Sequence, residues 1–230
     1  MYSGIIIIDK PSDWTSFDVI AKLRGVLRER KIGHCGTLDP MATGVLPVFV
    51  TRAATKLIST YEGADKEYVA GLRLGLSTDT YDTTGNVLRE AAASVTREQL
   101  DAALQGFRGD IMQKPPMYSA VKIDGQRLYK IARRGAEVER EPRPVTVSAA
   151  EIISGGGADW VIRFAVSKGT YVRSLCNDIG DALGCGGAMS SLRRTRVGGF
   201  RIENALTLEQ VIEFADAGTL EEKFINPRIL

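Results

Sequence analysis

Histidine occurs once in this chain, at His34, and cysteine three times, at Cys35, Cys176 and Cys185. None of the cysteines forms a CxxC pair, so a zinc site has too few ligands at usable spacings, and an odd set of three argues against a disulfide framework. Long apolar runs are missing as well: the longest purely aliphatic stretch is Ile5–Ile8, against the roughly 20 residues that span a bilayer. No basic segment leading into an apolar stretch opens the chain, so the expectation is a cytoplasmic protein with no membrane partner. GxxxxGK[ST], GxGxxG after a strand, GxSxG, HExxH and DxDxDG are all absent, which removes the nucleotide-binding, serine-hydrolase, zinc-protease and calcium-loop readings those patterns carry. Chemistry must then come from carboxylates, hydroxyls, Lys, Arg or the one histidine, and of metal sites only a carboxylate-held one stays open.

What is present is ordinary in bulk and uneven in distribution. The 230 residues are 44% hydrophobic and 25% charged, proportions that suit one globular domain, with or without an insertion, and exclude disorder as the main state. Net charge is only +2. Residues 22–34, 112–143 and 191–201 nevertheless each carry a net +4, leaving −10 for the remainder. Such segregation fits a polyanion-binding face on a nearly neutral protein, and three unrelated solvated faces would give the same count.

Strand-like and helix-like segments alternate without repeats. Tyr2–Ile8 reads as a strand ended by Lys10-Pro11. Ser16 is placed to cap a helix to about Arg28, with Phe17, Ile20, Leu23 and Leu27 as its apolar stripe. Gly33–Gly44, with three glycines and a proline, reads as a loop, and Val45–Val50 as a buried strand. Thr51 is placed to cap a helix to about Tyr61. Glu67–Gly75 and Gly85–Arg89 read as strands joined across the Asp82–Gly85 turn. Thr96, with Glu98 and Gln99, opens a helix near Arg97–Phe107. After Pro115-Pro116 the chain is basic to Arg143, with a short strand (Tyr118–Ile123) and a helix (Gln126–Arg134), and about 112–143 is the expected insertion. Val145–Ile153 and Trp160–Val166 flank a Gly155–Gly157 hairpin turn. A helix from Thr170 to about Leu183, a strand around Ser190–Val197 and a helix capped by Thr207 complete the reading. Strands arriving in pairs between helices predict a protein of mixed strands and helices with a mixed, largely antiparallel sheet rather than a regular βαβ series.

The densest chemistry is the Gly33–Gly44 segment. Pro40 restricts Asp39 to extended geometry, and the glycines let a ligand approach closely, so Asp39 suits a nucleophile or base on a rigid loop. A turn aspartate bonding its own backbone is the plainer reading. Arg173 lies near the start of a predicted helix, where the macrodipole offers a cation nothing, so an acidic partner suits it, Asp39 being one candidate, while an exposed surface arginine is the default. Tyr68, Leu192 and His34 would ordinarily be an edge aromatic, a core leucine and a surface histidine.

Read as a motif, GHCGTLDPMATGVLP resembles the catalytic loop of the TruB family of tRNA pseudouridine-55 synthases. IIIIDKPSDWTS, Lys66-Glu67-Tyr68, QKPPMYSAVKIDGQRLYKIARRG, KGTYVRSLCNDIG and LRRTRVGGF fall in that family's order, from Gly4 to about Ala215. The resemblance implies a pseudouridine synthase-like α+β catalytic core over 1–230 with flanking helices. Asp39 falls on the family's nucleophile, Tyr68 on its active-site tyrosine and Arg173 on the arginine paired with the aspartate. Tyr171 and Leu192 fall on uridine-pocket positions, and His34 on the histidine that packs where the flipped base has left. The basic 112–143 stretch matches the insertion that grips the T-stem and loop of tRNA. Family members usually continue into a C-terminal RNA-binding domain, and with the chain stopping at Leu230 no separate one is expected here. The implied partner is tRNA, with no cofactor or metal needed and no protein partner implied; oligomeric state is not readable from the sequence, and a monomer is only the default. Pseudouridylation of another structured RNA, or a non-catalytic tRNA-binding or folding module, are the alternatives.

Overall fold

In a computed structural model the chain is described from Tyr2 to Asn226; Met1 and Pro227–Leu230, and with them the expected end at Leu230, lie outside the described residues. The first elements are β1 (Gly4–Lys10), α1 (Ser16–Leu27), β2 (Ile32–His34), β3 (Thr43–Val50), and two short helices, α2 (Arg52–Thr55) and α3 (Ile58–Tyr61). There follow β4 (Lys66–Leu74), β5 (Leu76–Thr78), β6 (Val87–Glu90), α4 (Arg97–Gln105) and β7 (Gly109–Gln113). Then come β8 (Lys122–Ile123), β9 (Gln126–Arg127), α5 (Leu128–Ala132), β10 (Arg143–Gly156) and β11 (Asp159–Val166). α6 (Val172–Ala182), β12 (Gly187–Val197), β13 (Phe200–Arg201) and α7 (Leu208–Asp216) close the series.

The chain divides into two compact units, one made of the residues up to Tyr68 together with those from Leu192 on, the other Val69–Ser191. In the first, β1 and β3 pair antiparallel from Gly4↔Val50 to Lys10↔Gly44. β3 pairs parallel with β12 through Arg193↔Thr43 and Arg194↔Gly44, and antiparallel with β2. The sheet is therefore mixed. β1 is apolar at every second position on both faces because both are covered. Ile6 and Ile8 join Val19, Ile20, Leu23 and Leu27 of α1 and Leu208 and Val211 of α7, whereas Ile5 and Ile7 join Cys35, Phe49 and Phe200.

In the second unit, β10 pairs antiparallel with β11, from Val147↔Val166 to Gly156↔Asp159, and with β7. Gly157 and Ala158 are left as the two-residue turn, with Gly157 at φ +62°. Trp160, Ile162 and Phe164 alternate inward along β11, and α4 packs against β10 and α6.

Several elements differ from the sequence reading. Thr15, not Ser16, caps α1: its side chain accepts from the Asp18 amide while Asp18 reaches back to the Thr15 amide, a complete capping box. Phe17 leaves the apolar stripe and is 62% exposed. The 33–44 loop is shorter than expected, since Ile32–His34 pairs with β3 and Thr43-Gly44 begins β3. Thr51 caps nothing; it sits at φ +82° and two separate helical turns follow it. Tyr118–Ile123 is a strand only at Lys122–Ile123, because the Ser119 amide bonds the Met117 carbonyl and the Ser119 carbonyl is taken by the Tyr129 amide.

Candidate active site

The Asp39 loop is held from below and at both ends. Ser16 Oγ accepts from the Leu38 amide at 2.9 Å and donates to the Leu38 carbonyl at 3.3 Å, pinning the residue before Asp39 to the first turn of α1. Asp39 opens a turn closed by the Ala42 amide on the Asp39 carbonyl, 3.1 Å, with Pro40 at the second position, where a fixed φ suits it. The Pro40 carbonyl accepts from the Asp13 amide, 2.9 Å, and from Lys10 Nζ, 3.1 Å. Residues on both sides of Asp39 are thus fixed, which confines its half-buried carboxylate.

Two buried cations lie under this loop. The Lys10 side chain is fully buried and donates to the carbonyls of Pro11 (2.8 Å), Trp14 (2.6 Å) and Pro40. Burial pushes its pKa down to about 8, against the opposing pull of Asp13 and Asp39. Arg194, 1% exposed, donates from Nε to the Val45 carbonyl at 2.7 Å and from Nη2 to the Gly36 carbonyl at 2.8 Å.

His34 ends β2, beside the loop rather than in it, half-buried, with Nδ1 buried and without a hydrogen-bond partner. Burial, and then the Arg194 charge, hold its pKa below the ordinary histidine value. Leu192 is 8% exposed and, two residues from Arg194 on β12, shares its face of the strand. Tyr68, equally buried, stands on β4, whose start is fastened to β12 where Thr195 Oγ1 donates to the Glu67 carbonyl (3.3 Å) and carboxylate (3.0 Å).

Tyr171 and Arg173 belong to the second unit. Tyr171 precedes α6, its backbone clasped by the buried Gln113 side chain: Nε2 donates to the Tyr171 carbonyl at 3.0 Å and Oε1 accepts from the Tyr171 amide at 2.8 Å. Arg173 is buried, donating from Nη1 to the Thr80 carbonyl (3.1 Å) and from Nη2 to the Tyr118 carbonyl (2.8 Å), with Asp82 Oδ2 at 3.7 Å from Nη1. Asp82 is itself fixed, its Oδ1 accepting from Thr80 Oγ1, the Thr84 amide and Thr84 Oγ1. An acidic partner suits Arg173 from the sequence, and Asp82, which the sequence marks only as a turn residue, is one.

Lys10, Ser16, Gln113 and Arg194 carry no such mark in the sequence. Each reaches at least one backbone group 22 or more residues away, and nothing local signals that role. The cysteines offer no reactive thiolate in the core: burial raises the pKa of Cys35 and pushes Cys176 up to about 12. Among the described residues no group of three or more His, Cys, Asp or Glu side chains could hold a metal ion, and no helix is long and apolar enough to cross a membrane.

A family profile described as TruB family pseudouridylate synthase (N terminal domain) matches residues 24–172, which include the Asp39 loop, Tyr68 and Tyr171. The chain belongs to the TruB family. A second profile, for the tRNA pseudouridylate synthase B C-terminal domain, matches residues 173–230, so Arg173 and Leu192 fall within it. Among TruB relatives, a protein of Clostridium tetani named tRNA pseudouridine synthase B is 47% identical over 212 residues, 92% of this chain and 73% of that one. One of the same name from Azoarcus sp. is 50% identical over 206 residues, 90% of this chain and 68% of its own. Of solved structures, a Cbf5-Nop10-Gar1 complex contains a chain 35% identical with a TM-score of 0.75, covering 96% of this chain and 58% of that chain. An H/ACA RNP bound to a substrate RNA containing 2′-deoxyuridine contains one 31% identical with a TM-score of 0.74, covering 97% of this chain and 59% of that one. The chain thus spans just under three-fifths of those two solved chains. Their likeness agrees with the α+β pseudouridine synthase core expected from the sequence.

Proposed function

We propose that this chain isomerises uridine 55 in the T-loop of tRNA to pseudouridine, with Asp39 as nucleophile. The observation that carries the reading is the anchoring of Asp39 between Leu38 and Pro40, each fixed by hydrogen bonds, in a chain of the TruB family. Curated relatives named tRNA pseudouridine synthase B supply the substrate class.

The reaction breaks the N1–C1′ glycosidic bond, turns the uracil and joins C5 to C1′; the hydrogen on C5 leaves as a proton and N1 takes one up, so the overall change is an isomerisation. A stacked base is out of reach, so it is flipped out at a cost of a few kcal/mol that contacts to the RNA offset. His34, uncharged at neutral pH because its pKa is lowered, fills the vacated stack. Tyr68 stacks on the uracil near C5. Leu192 keeps water from the detached base, which prevents hydrolysis of the intermediate. We assign Tyr171 to the lining of the uridine pocket and Arg173 to the part of the family's active-site arginine. The basic insertion, with Lys122, Arg127, Lys130 and Arg134 around a groove of about 510 Å³, grips the T-stem. The reaction as written needs one chain and no cofactor, and we assign it to a cytoplasmic monomer.

Tritium release from a T-arm transcript carrying 5-tritiated uridine tests this directly. The wild-type protein releases tritium; Asp39→Asn binds the RNA with nearly unchanged affinity and releases none. Release by both proteins would remove Asp39 from its role, and binding without release by the wild type, on T-arm and full-length tRNA alike, would leave a binding or folding protein.

A further inference from the structure

We propose that Arg194 is the positioning residue of the Asp39 loop, a guanidinium that staples its two stems through the carbonyls of Gly36 and Val45. The proposal rests on the reading of Asp39 as nucleophile and adds a residue that acts only through it.

Gly36 stands near the start of the loop and Val45 just past its end, so the bonds from Nη2 and Nε close it as a clasp. Two of the loop's glycines answer to the same arginine. Gly36 sits at φ +73°, and a Cβ there would lie 3.2 Å from Arg194 Nη1. Gly44 sits at φ +102°, paired with Arg194 across the parallel β3–β12 ladder, and a Cβ there would run into the Arg194 carbonyl oxygen. The loop's glycines and the arginine pair of LRRTRVGGF, roughly 150 residues apart in sequence, are therefore one structural unit.

The choice of arginine is informative. Among the described residues Arg194 makes no salt bridge, although it is almost wholly buried. A buried cation without a carboxylate is costly, and an apolar side chain of similar size would pack with less penalty. Stability alone does not call for it. A planar guanidinium offers donors on separate nitrogens at fixed angles, so Arg194 takes one carbonyl on Nε and the other on Nη2, whereas a lysine ammonium gathers its acceptors around a single nitrogen, as Lys10 does. Rigidity is what the loop requires, because displacing a reacting group by about 1 Å can cost roughly 100-fold in rate.

The test compares Arg194→Met, Arg194→Lys and Gly36→Ala with wild type, by single-turnover tritium release, T-arm RNA binding and amide hydrogen exchange. Arg194→Met should lower the chemical rate about 100-fold, change RNA affinity less than threefold, and speed exchange at the Leu38 and Ala42 amides. Arg194→Lys should recover only part of the rate, because one carbonyl stays unbound. Gly36→Ala keeps the cation and presses on Nη1, so it should lower the rate with affinity intact, and it decides the matter if Arg194→Met does not fold. Wild-type rates in Arg194→Lys and Gly36→Ala would overturn the proposal, as would rate and affinity falling together. Unchanged loop exchange in a folded Arg194→Met would overturn the staple itself. Full activity of Asp39→Asn in the same assay would instead mark the failure of the nucleophile reading.

Discussion

His34 is the only histidine in the chain, so its imidazole can be followed by NMR without assignment. Burial disfavours the imidazolium, and the Arg194 charge adds to this, so we expect it to titrate below the ordinary value of about 6.5. The sign for stability follows: the unfolded chain takes up the proton more readily, so stability is full above about pH 6.5 and declines as the pH falls through that value toward the folded pKa. A midpoint at or above 6.5 would contradict the buried, neutral side chain that filling a vacated base stack requires. At this scale the sequence exposes residues whose neighbours constrain them. Asp39 stands out because Pro40 follows it and glycines surround it. Phe17 misleads because helical spacing alone puts it in the stripe with Ile20, Leu23 and Leu27. Val19 takes that place in the core, while Phe17 faces outward with the Arg24 guanidinium 5.5 Å from its ring.

Elements are legible where their ends are signalled locally. Thr96 with Gln99 and Thr207 with Gln210 form complete capping boxes at the expected helix starts, and the signal for α1 is off by one residue. α6 is different. The sequence places Thr170 at its start, yet the Thr170 hydroxyl bonds the Ser167 carbonyl and the cap position is Tyr171, whose side chain makes no capping bond. Its backbone is satisfied instead by Gln113, 58 residues earlier, and no window of sequence contains both. Gln113→Ala removes the bond to the Tyr171 amide and one of those to the Tyr171 carbonyl, which keeps the Leu175 amide, so urea unfolding should show a fall of about 0.5–1.5 kcal/mol in stability. Gln113→Glu keeps the acceptor for the Tyr171 amide but sets a buried carboxylate oxygen against the Tyr171 carbonyl, so it should be no better tolerated than Gln113→Ala. Equal stability of all three proteins would deny the clasp its role.

For the molecule as a whole, counting charges along the sequence overstates the surface. Arg140, Arg173 and Arg194 are buried, and Arg193 is taken by Asp9 at 2.7 Å, so much of the positive charge at 191–201 faces inward or is paired. The insertion keeps its cations around an open groove. Replacing Lys130 and Arg134 with Ala should therefore weaken T-arm binding and flatten its salt dependence, by about 0.7–0.9 in the log–log slope for each phosphate that the variant no longer neutralises. The rate at saturating RNA should hold. A double variant with the parental slope would place the RNA elsewhere. Fold class is readable because paired strands between helices leave few arrangements, whereas the inward arginines are not, because burial is decided by partners far along the chain.

The parallel pairing of Thr43-Gly44 with Arg193-Arg194 also sets an order of events during synthesis. The aspartate leaves the ribosome some 150 residues before the arginine that fastens its loop, an interval of roughly 8–30 s at about 5–20 residues per second. Throughout that interval Asp39 stands on a loop whose distant clasp has not yet been made, and the Arg194 bonds to Gly36 and Val45 form only once the β12 segment arrives and joins β3. On the proposed reading, the nucleophile's loop is therefore fastened late in synthesis, by a segment made long after the loop itself.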